Sequence, residues 1–298
     1  MTRSLICCAL LSALMTVCNA QALRLPPRFD QWLQTPGMRH ATVAVEIVDL
    51  DKDSLIFAYD EQRSVQPASL LKLVTTGAAL RTLGADYVMP AMVCGPDSTM
   101  VPLPELVGYN PDWLIEDVAS SYAEPLVQVP DTGITLREYI KRTNEKSLNI
   151  HAEALPYLLT PSCTLAAGLD TIRTFWQGMG VDTEALVMYD ACGLAPADRI
   201  TAHMMTQLLH VMKDDEDFRQ SFAVAGLTGT VTYFLKASYL CGRAQLKTGT
   251  TKSVCGYAGY VRGTDNHTYS VVLIVNNSTS PLTLLRKNIE KMFNYLIP

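Results

Sequence analysis

The β-rich segments of this chain lie near its two ends, and helical patterns occupy most of the sequence between them. Residues 42–50 and 54–59 flank a polar turn and predict a hairpin. Later segments with the composition of strands are 243–247, 256–262 and 269–276. The last of these contains a continuous apolar run, which is typical of a central strand buried on both faces. The two ends of the chain are therefore expected to meet in one antiparallel sheet.

Helices are predicted where apolar residues recur at helical spacing. Such patterns occupy residues 70–80, 135–142, 149–159, 167–179 and 202–212. A last helix is predicted over 282–296, directly after Pro281. The acidic segment 213–218 predicts a solvated turn.

The length of the chain suits one large domain with two lobes. We expect this domain to span residues 21–298, with a Pro-rich loop or reduced insert at about 95–130. The predicted helical lobe covers about 67–240. The predicted sheet lobe is formed by about 40–66 and 240–298.

The first twenty residues (1–20) have the pattern of a secretory signal peptide. They combine a basic start at Arg3, an apolar core over 5–17 and small residues ending at Ala20. The mature chain is therefore expected to be exported to the periplasm. Acylation of Cys18 is the alternative, which Val17 disfavours because a small residue is wanted before a lipidated cysteine.

Charge and hydropathy exclude several classes of partner. The formal charge is -5 and basic residues do not cluster, so nucleic acid is not an expected partner. After the leader no segment approaches twenty apolar residues, so no transmembrane span is expected. The sequence has neither a Cys-x-x-Cys pair nor His-Glu-x-x-His spacing, so we expect no metal and no cofactor.

Three short motifs follow one another along the chain: Ser69-Leu70-Leu71-Lys72, Ser147-Leu148-Asn149 and Lys247-Thr248-Gly249. Ser69 and Lys72 lie one helical turn apart, so the amine can reach the hydroxyl. A serine becomes an effective nucleophile when a base takes its proton, and lysine serves when desolvation or positive charge lowers its pKa. The motifs together therefore predict an active-site serine hydrolase.

Each motif alone also has a purely structural explanation. Ser69 can be a helix cap and Lys72 a solvated residue, while the other two motifs can be turns or an exposed strand end. This alternative applies better to single motifs than to three motifs in this order with their flanking segments.

The motifs and their flanks resemble those of the class C low-molecular-mass penicillin-binding proteins, the D-alanyl-D-alanine carboxypeptidases and endopeptidases of the penicillin-binding protein 4 type. The similar segments are 59–60, 67–80, 147–149, 152–155, 193–194, 224–230, 247–250 and 258–261, with Asp190. The resemblance implies an α+β fold of the serine β-lactamase and DD-transpeptidase type. In that fold an antiparallel five-stranded sheet with flanking helices lies beside an all-helical subdomain.

One departure from the family concerns the distance between the first two motifs. Only 78 positions separate Ser69 from Ser147, which is too few for the one or two domains that the family commonly inserts there. The chain is therefore a compact version that lacks most of these domains. Since such domains can restrict access to the cleft, the choice between carboxypeptidase and endopeptidase activity stays open.

The resemblance also implies roles for individual residues. Ser69 is expected to attack a D-Ala-D-X carbonyl of peptidoglycan stem peptides, and β-lactam antibiotics are expected to form the same ester. The implied catalytic residues are Ser69, Lys72, Ser147, Asn149 and Lys247. The implied substrate-binding residues are Thr248, Gly249 and Thr250, and Asp190 is expected to position a loop.

Two other functions fit the same motifs. A non-catalytic penicillin-recognition or sensor protein would bind wall peptides without cutting them. A serine β-lactamase or esterase of the same fold would need an extra base to hydrolyse its acyl-enzyme quickly, and the sequence assigns no residue to that task.

Overall fold

The computed structural model describes residues 25–94, 100–102, 131–162 and 164–298 of the chain. The predicted signal peptide and nearly all of segment 95–130 lie outside the described residues. The helices are α1 (Pro27–Leu33), α2 (Leu71–Leu83), α3 (Leu136–Lys146), α4 (Asn149–Leu158), α5 (Leu165–Gly178), α6 (Ala202–Val211), α7 (Glu216–Gln220) and α8 (Leu282–Leu296), with 3-10 helices at Ala68–Leu70 and Gly229–Val231. The strands are β1 (Thr42–Asp49), β2 (Ser54–Tyr59), β3 (Met92–Cys94), β4 (Met100–Pro102), β5 (Ala223–Val224), β6 (Ala244–Thr250), β7 (Val254–Arg262) and β8 (Thr268–Asn276). None of the described helices combines the length and apolar character needed to cross a membrane.

The main sheet is antiparallel and joins both ends of the chain, as the sequence predicts. Its strand order is β2-β1-β8-β7-β6-β5, and β3 and β4 form a separate hairpin. In the middle, β8 places Val275 opposite Val43 of β1 and Cys255 of β7. The predicted sheet has five strands. The described sheet has a sixth, because the two residues of β5 pair with β6.

The sheet separates two hydrophobic cores. Along β8, Val272 and Ile274 point into the core formed with α2 to α6, whereas Val271 and Leu273 point into the core formed with α1 and α8. This alternation is the period of two that any strand imposes on its side chains. Both faces of the sheet are thus covered by helices, which explains the uninterrupted apolar run of β8.

The prediction of a solvated turn over 213–218 is correct for residues 213–214 and wrong from Glu216 onward, where α7 begins. Asp215 accepts a hydrogen bond from the backbone N–H of Phe218 at 3.0 Å and starts α7. Phe218 is fully buried and packs edge-on against Phe222, with ring centroids 5.2 Å apart. Acidic residues stabilise a helix N-terminus, so the charges that predict a turn here begin a short helix with a buried aromatic ring.

Helix α2 packs closely against α5 at Gly77. A Cβ atom at this position would lie 2.8 Å from Cζ2 of Trp176, closer than ordinary contacts allow. Trp176 is fully buried, and its indole N–H donates to the carbonyl of Val74 at 2.9 Å. Because Trp176 is fixed to α2 by this hydrogen bond, Gly77 sets the distance between the two helices.

We expect Gly77→Ala to lower the free energy of unfolding by about 1–3 kcal/mol, because the added methyl group overpacks the contact with α5. Gly178→Ala is the matched control, since Gly178 ends α5 with nothing within 4 Å of the added carbon. The free energy of unfolding of Gly178→Ala should stay the same or increase by up to about 1 kcal/mol, because alanine favours a helix more than glycine does. Urea unfolding measures both, and equal effects of the two substitutions would contradict the packing argument.

Candidate active site

Ser69 lies at the N-terminal end of α2, in the 3-10 helix Ala68–Leu70. The residue before it, Ala68, has a φ of 47°, in the left-handed region that costs a non-glycine residue about 1–2 kcal/mol. Such backbone strain persists only where the surrounding structure imposes it, and it is common at functional sites. The side chain of Ser69 is half-buried.

The amine of Lys72, one turn later, is fully buried and has three hydrogen-bond partners. Its Nζ lies 2.9 Å from Ser69 Oγ, 2.7 Å from Asn149 Oδ1 and 2.8 Å from the carbonyl oxygen of Cys192. Burial lowers the pKa of Lys72, because the ammonium form loses its hydration. The neutral amine, which can act as a base, is thereby favoured.

Two of these three partners can only accept a hydrogen bond. Asn149 Oδ1 and the Cys192 carbonyl carry no proton, so a neutral Lys72 amine directs its two N–H groups to them. Its lone pair is then left for Ser69, whose hydroxyl can donate. The geometry therefore aims the lone pair of Lys72 at the hydroxyl of Ser69.

The second motif lies between two buried lysines. Ser147 follows α3 with a left-handed φ of 59°, and Asn149 begins α4 beside Lys72. Lys247 Nζ donates to Ser147 Oγ at 2.8 Å and to the carbonyl oxygen of Thr248 at 2.8 Å. Burial, and then the charge of Lys72, lowers the pKa of Lys247 well below its usual range. The motif thus links the two amines.

Strand β6 carries the third motif alongside the turn of Ser69. A Cβ atom at Gly249 would lie 2.6 Å from the carbonyl oxygen of Pro67 and 3.3 Å from the backbone nitrogen of Leu70. Only glycine allows two backbones to approach this closely. The structure therefore brings the predicted residues of all three motifs to one place.

Among the described residues, the outer edge of β6 has no strand partner beside Ser69. β5 pairs only with Gln245 and Leu246, and no described strand pairs with the outer edge of residues 247–250. The N–H of Thr251 bonds to a carbonyl of β7 at 3.0 Å. Because bonding direction alternates along an antiparallel strand, the N–H and C=O of Thr250 point away from β7 toward the open edge.

The side chains of Thr248 and Thr250 lie on the face of β6 opposite Lys247, toward α8. Thr248 Oγ1 donates to Thr230 Oγ1 at 2.9 Å, and Nη2 of Arg286 donates to Thr250 Oγ1 at 3.4 Å. The sequence assigns no role to Thr230 or Arg286. Neither lies in one of the three motifs, and only the folded chain brings them to β6.

Asp190 is fully buried and hydrogen-bonds to the loop that follows it rather than to Ser69. Its carboxylate accepts the N–H groups of Cys192 at 3.0 Å and Gly193 at 2.6 Å. Gly193 has a φ of 87°, and a side chain there would overlap the carbonyl oxygen of Ala68. The loop held by Asp190 therefore packs against the turn that carries Ser69.

Two further buried acids lie near this loop, and the sequence assigns no role to them. Glu153, on α4 one turn after Asn149, accepts the N–H of Ala191 at 2.9 Å. Burial, and then the charge of Asp190, raises the pKa of Glu153 to about 8 and that of Asp198 to about 9. Both acids are therefore protonated at neutral pH.

Ligand-type side chains also meet at the opposite end of the sheet. Asp49, Asp51 and His267 place their ligand atoms close enough to hold a metal ion. Asp49 Oδ1 already accepts the N–H of Asp51 at 3.0 Å, and Oδ2 lies 2.7 Å from Nδ1 of His267. Because Asp49 pairs across from Tyr269, far along the strands from Thr250, this cluster has no contact with the candidate site.

A sequence model of the D-Ala-D-Ala carboxypeptidase 3 (S13) family matches residues 26–94 and 110–294. The chain belongs to this family. The matched residues include all three motifs, and the resemblance predicted from them is confirmed.

One curated relative of this S13 chain is a D-alanyl-D-alanine carboxypeptidase from Actinomadura sp. (strain R39), with 27% identity over 180 residues. The alignment covers 56% of this chain, and the chain spans only 34% of the length of that relative. Solved structures show the same fold. Penicillin binding protein 4 from Haemophilus influenzae, in complex with a β-lactam, has a TM-score of 0.71 and 14% identity, with 92% of this chain and 100% of that chain covered. TLA-3 extended-spectrum β-lactamase has a TM-score of 0.65 and 15% identity, with 91% and 98% covered.

In this S13 chain we expect Glu153→Gln to change how stability depends on pH. The folded protein keeps a proton on Glu153 up to about pH 8, whereas the unfolded chain loses it near the ordinary pKa of glutamate. The stability contributed by the protonated side chain is therefore present at low pH and lost as pH rises through this interval. Since glutamine does not titrate, the free energy of unfolding of Glu153→Gln should rise relative to that of the wild type. The rise should be about 1.4 kcal/mol for each pH unit between the ordinary pKa of glutamate and about pH 8.

Urea unfolding between about pH 5 and pH 8 measures this difference. Glu184→Gln, at an exposed position, is the control for loss of a carboxylate. Parallel curves for the wild type and Glu153→Gln would show that Glu153 is ionised in the folded chain.

Proposed function

We propose that this protein is a serine D-Ala-D-Ala carboxypeptidase that acts on peptidoglycan stem peptides through an ester on Ser69. The observation that carries the proposal is the buried Lys72 amine, 2.9 Å from Ser69 Oγ, with two partners that can only accept. Membership of the S13 family and the named activity of the Actinomadura relative support the class of reaction.

Acylation begins when the Ser69 hydroxyl proton moves to Lys72 Nζ. Ser69 Oγ then bonds to the carbonyl carbon of the penultimate D-alanine, and the π electrons of that carbonyl move to its oxygen. The backbone N–H groups of Ser69 and Thr250 hold this oxyanion, a contribution of about 10²–10³-fold in rate for each such donor. The outward direction of the Thr250 N–H supports this role.

The scissile C–N bond then breaks, and the leaving D-alanine amine takes a proton from the Lys72 ammonium by way of Ser147. The contact of Ser147 Oγ with Lys247 Nζ supports this relay, because it fixes the serine hydroxyl next to the cleft. Water completes the cycle. Its proton goes to Lys72 and its oxygen bonds to the ester carbon. The bond from that carbon to Ser69 Oγ then breaks, Oγ takes the proton back from Lys72, and the shortened peptide leaves as a carboxylic acid.

The stem peptide binds along the open edge of β6 as an added strand. The N–H groups of Thr248 and Thr250 and the carbonyl of Thr250 face outward for main-chain hydrogen bonds of this kind, whereas the carbonyl of Thr248 already accepts from Lys247 Nζ. Gly249 keeps the strand close to the turn of Ser69, so a bound peptide lies next to the nucleophile. The hydroxyls of Thr248 and Thr250 lie where the terminal carboxylate of the peptide would be held.

β-Lactams acylate the same serine, because their strained amide occupies the position of the scissile bond. Endopeptidase activity would use the same chemistry with a cross-linked peptide as the leaving group. The walls of the cleft decide between these substrates. Nearly all of segment 95–130, a predicted loop or reduced insert, lies outside the described residues.

Peptidoglycan lies outside the cytoplasmic membrane, so the proposed activity requires export. The predicted signal peptide over residues 1–20 supports export, and acylation of Cys18 is the alternative route to the same compartment. The mass of the exported protein distinguishes the two.

Ser69→Ala is expected to abolish covalent labelling by a fluorescent penicillin and to lower D-alanine release from a muropeptide pentapeptide by at least about 10³-fold. Without the nucleophile, only binding and the oxyanion donors remain. Ser162→Ala, at an exposed position, is the control and should behave as the wild type. Release of D-alanine by Ser69→Ala at the wild-type rate would refute the proposal, and rapid nitrocefin turnover by the wild type would favour the β-lactamase alternative.

Lys72→Arg is expected to lower the rate of acylation by at least about 10²-fold, because arginine keeps its charge and cannot take the Ser69 proton. In the wild type the rate should fall as pH drops through the lowered pKa of Lys72, since protonation occupies the lone pair. Labelling by a fluorescent penicillin across pH measures both effects, with the exposed Lys141→Arg as the control. An active Lys72→Arg with the wild-type pH profile would exclude Lys72 as the base.

A further inference from the structure

A carboxylate beside Thr248 and Thr250 needs a positive charge, and Lys247 is poorly placed to supply it. Lys247 is fully buried, and its Nζ donates to Ser147 Oγ and to the carbonyl oxygen of Thr248. Its protonation is disfavoured, because burial lowers its pKa. The side chain also lies on the opposite face of β6 from the threonine hydroxyls. Because its amine is buried and its pKa is lowered, Lys247 attracts a carboxylate on the solvent side of β6 only weakly.

Arg286 is a cation that reaches the hydroxyl side of β6. It lies on α8, its side chain is exposed, and Nη2 donates to Thr250 Oγ1 at 3.4 Å. An arginine side chain is charged at any pH at which a protein stays folded, and its fork of N–H groups matches a carboxylate. Arg286 thus places beside Thr250 a positive charge that Lys247 does not supply.

The charge of Arg286 has no acidic partner in the described part of the chain. Arginines that form ion pairs there are Arg63, Arg81, Arg137, Arg142 and Arg173. The groups that hydrogen-bond to Arg286 besides Thr250 are the thiol of Cys255 and the hydroxyl of Tyr257. Burial raises the pKa of Cys255 to about 11 and also raises that of Tyr257, so both are neutral. They hold the guanidinium in place without neutralising it.

We infer that Arg286 is a specificity-determining residue that binds, with the hydroxyls of Thr248 and Thr250, the terminal carboxylate of the substrate. The inference rests on the proposed function and names its ligand class: peptides or β-lactams with a free carboxylate next to the reacting amide. Thr250 accepts from Arg286 and keeps its own O–H to donate, and the N–H groups of the guanidinium that are not used by Thr250, Cys255 and Tyr257 remain for the carboxylate.

The test compares two acylating compounds that differ only in this carboxylate: benzylpenicillin and its methyl ester. Second-order rate constants for acylation are measured by mass spectrometry of the intact protein. Arg286→Gln is expected to lower the ratio of the two rate constants, acid over ester, by at least about tenfold, the effect of losing one charge-assisted hydrogen bond. Arg286→Lys, which keeps the charge but not the fork, should retain part of the preference.

Lys252→Gln is the matched control. Lys252 is exposed in the turn between β6 and β7, two positions from Thr250, so this variant removes the same charge from the same region. Its ratio should stay within about twofold of the wild type, because a solvated charge contributes little. An unchanged ratio in Arg286→Gln, or an equal fall in Lys252→Gln, would overturn the inference and leave the proposed function standing. A wild type that neither compound acylates would overturn the proposed function itself.

Discussion

Lys72 places an amine in the interior of the protein. Each hydrogen-bonding group of a buried amine needs a partner, because an unsatisfied group costs roughly 1–3 kcal/mol when it is neutral and more when it is charged. Its partners come from the turn before α2, the start of α4 and the loop after Asp190. These parts are far apart in sequence. The amine is satisfied only when the helical lobe is complete, so the fold and the site are stabilised by the same contacts.

The charge state of the surrounding acids fits this constraint. Asp190 accepts backbone N–H groups with its carboxylate, whereas Glu153 and Asp198 keep their protons because they are buried beside it. An ionised Glu153 would favour the ammonium form of Lys72 and so weaken the base. The interior therefore holds few net charges, and a neutral lysine is compatible with the neighbouring acids.

Most of the strands and longer helices could be predicted, because each combines a clear period with sufficient length. β6 was harder. The strand extends to Thr250, beyond the predicted 243–247. This extension was not predicted because the last residues of the strand are the polar and glycine residues of the third motif. β5 has two residues, too few to show any period. The second half of segment 213–218 was predicted wrongly because acidic residues favour both solvent and helix N-termini.

The reactive residues could be found from their types and order, but the residues that support them could not. Ser69 and Lys72 are neighbours on a helix, so their contact follows from local geometry. Arg286 approaches Thr250 only because α8 packs across the sheet, and Glu153 is buried only because a distant loop covers it. No spacing along the sequence encodes contacts of this kind.

The stretch of β6 that pairs with no described strand has a cost as well as a use. Unpaired backbone groups on a sheet edge are a template for another copy of the same chain, not only for a short peptide. Two molecules that paired along residues 247–250 would each block the cleft of the other. Self-association would then act as competitive inhibition, and catalysis per molecule would decline as the protein becomes more concentrated.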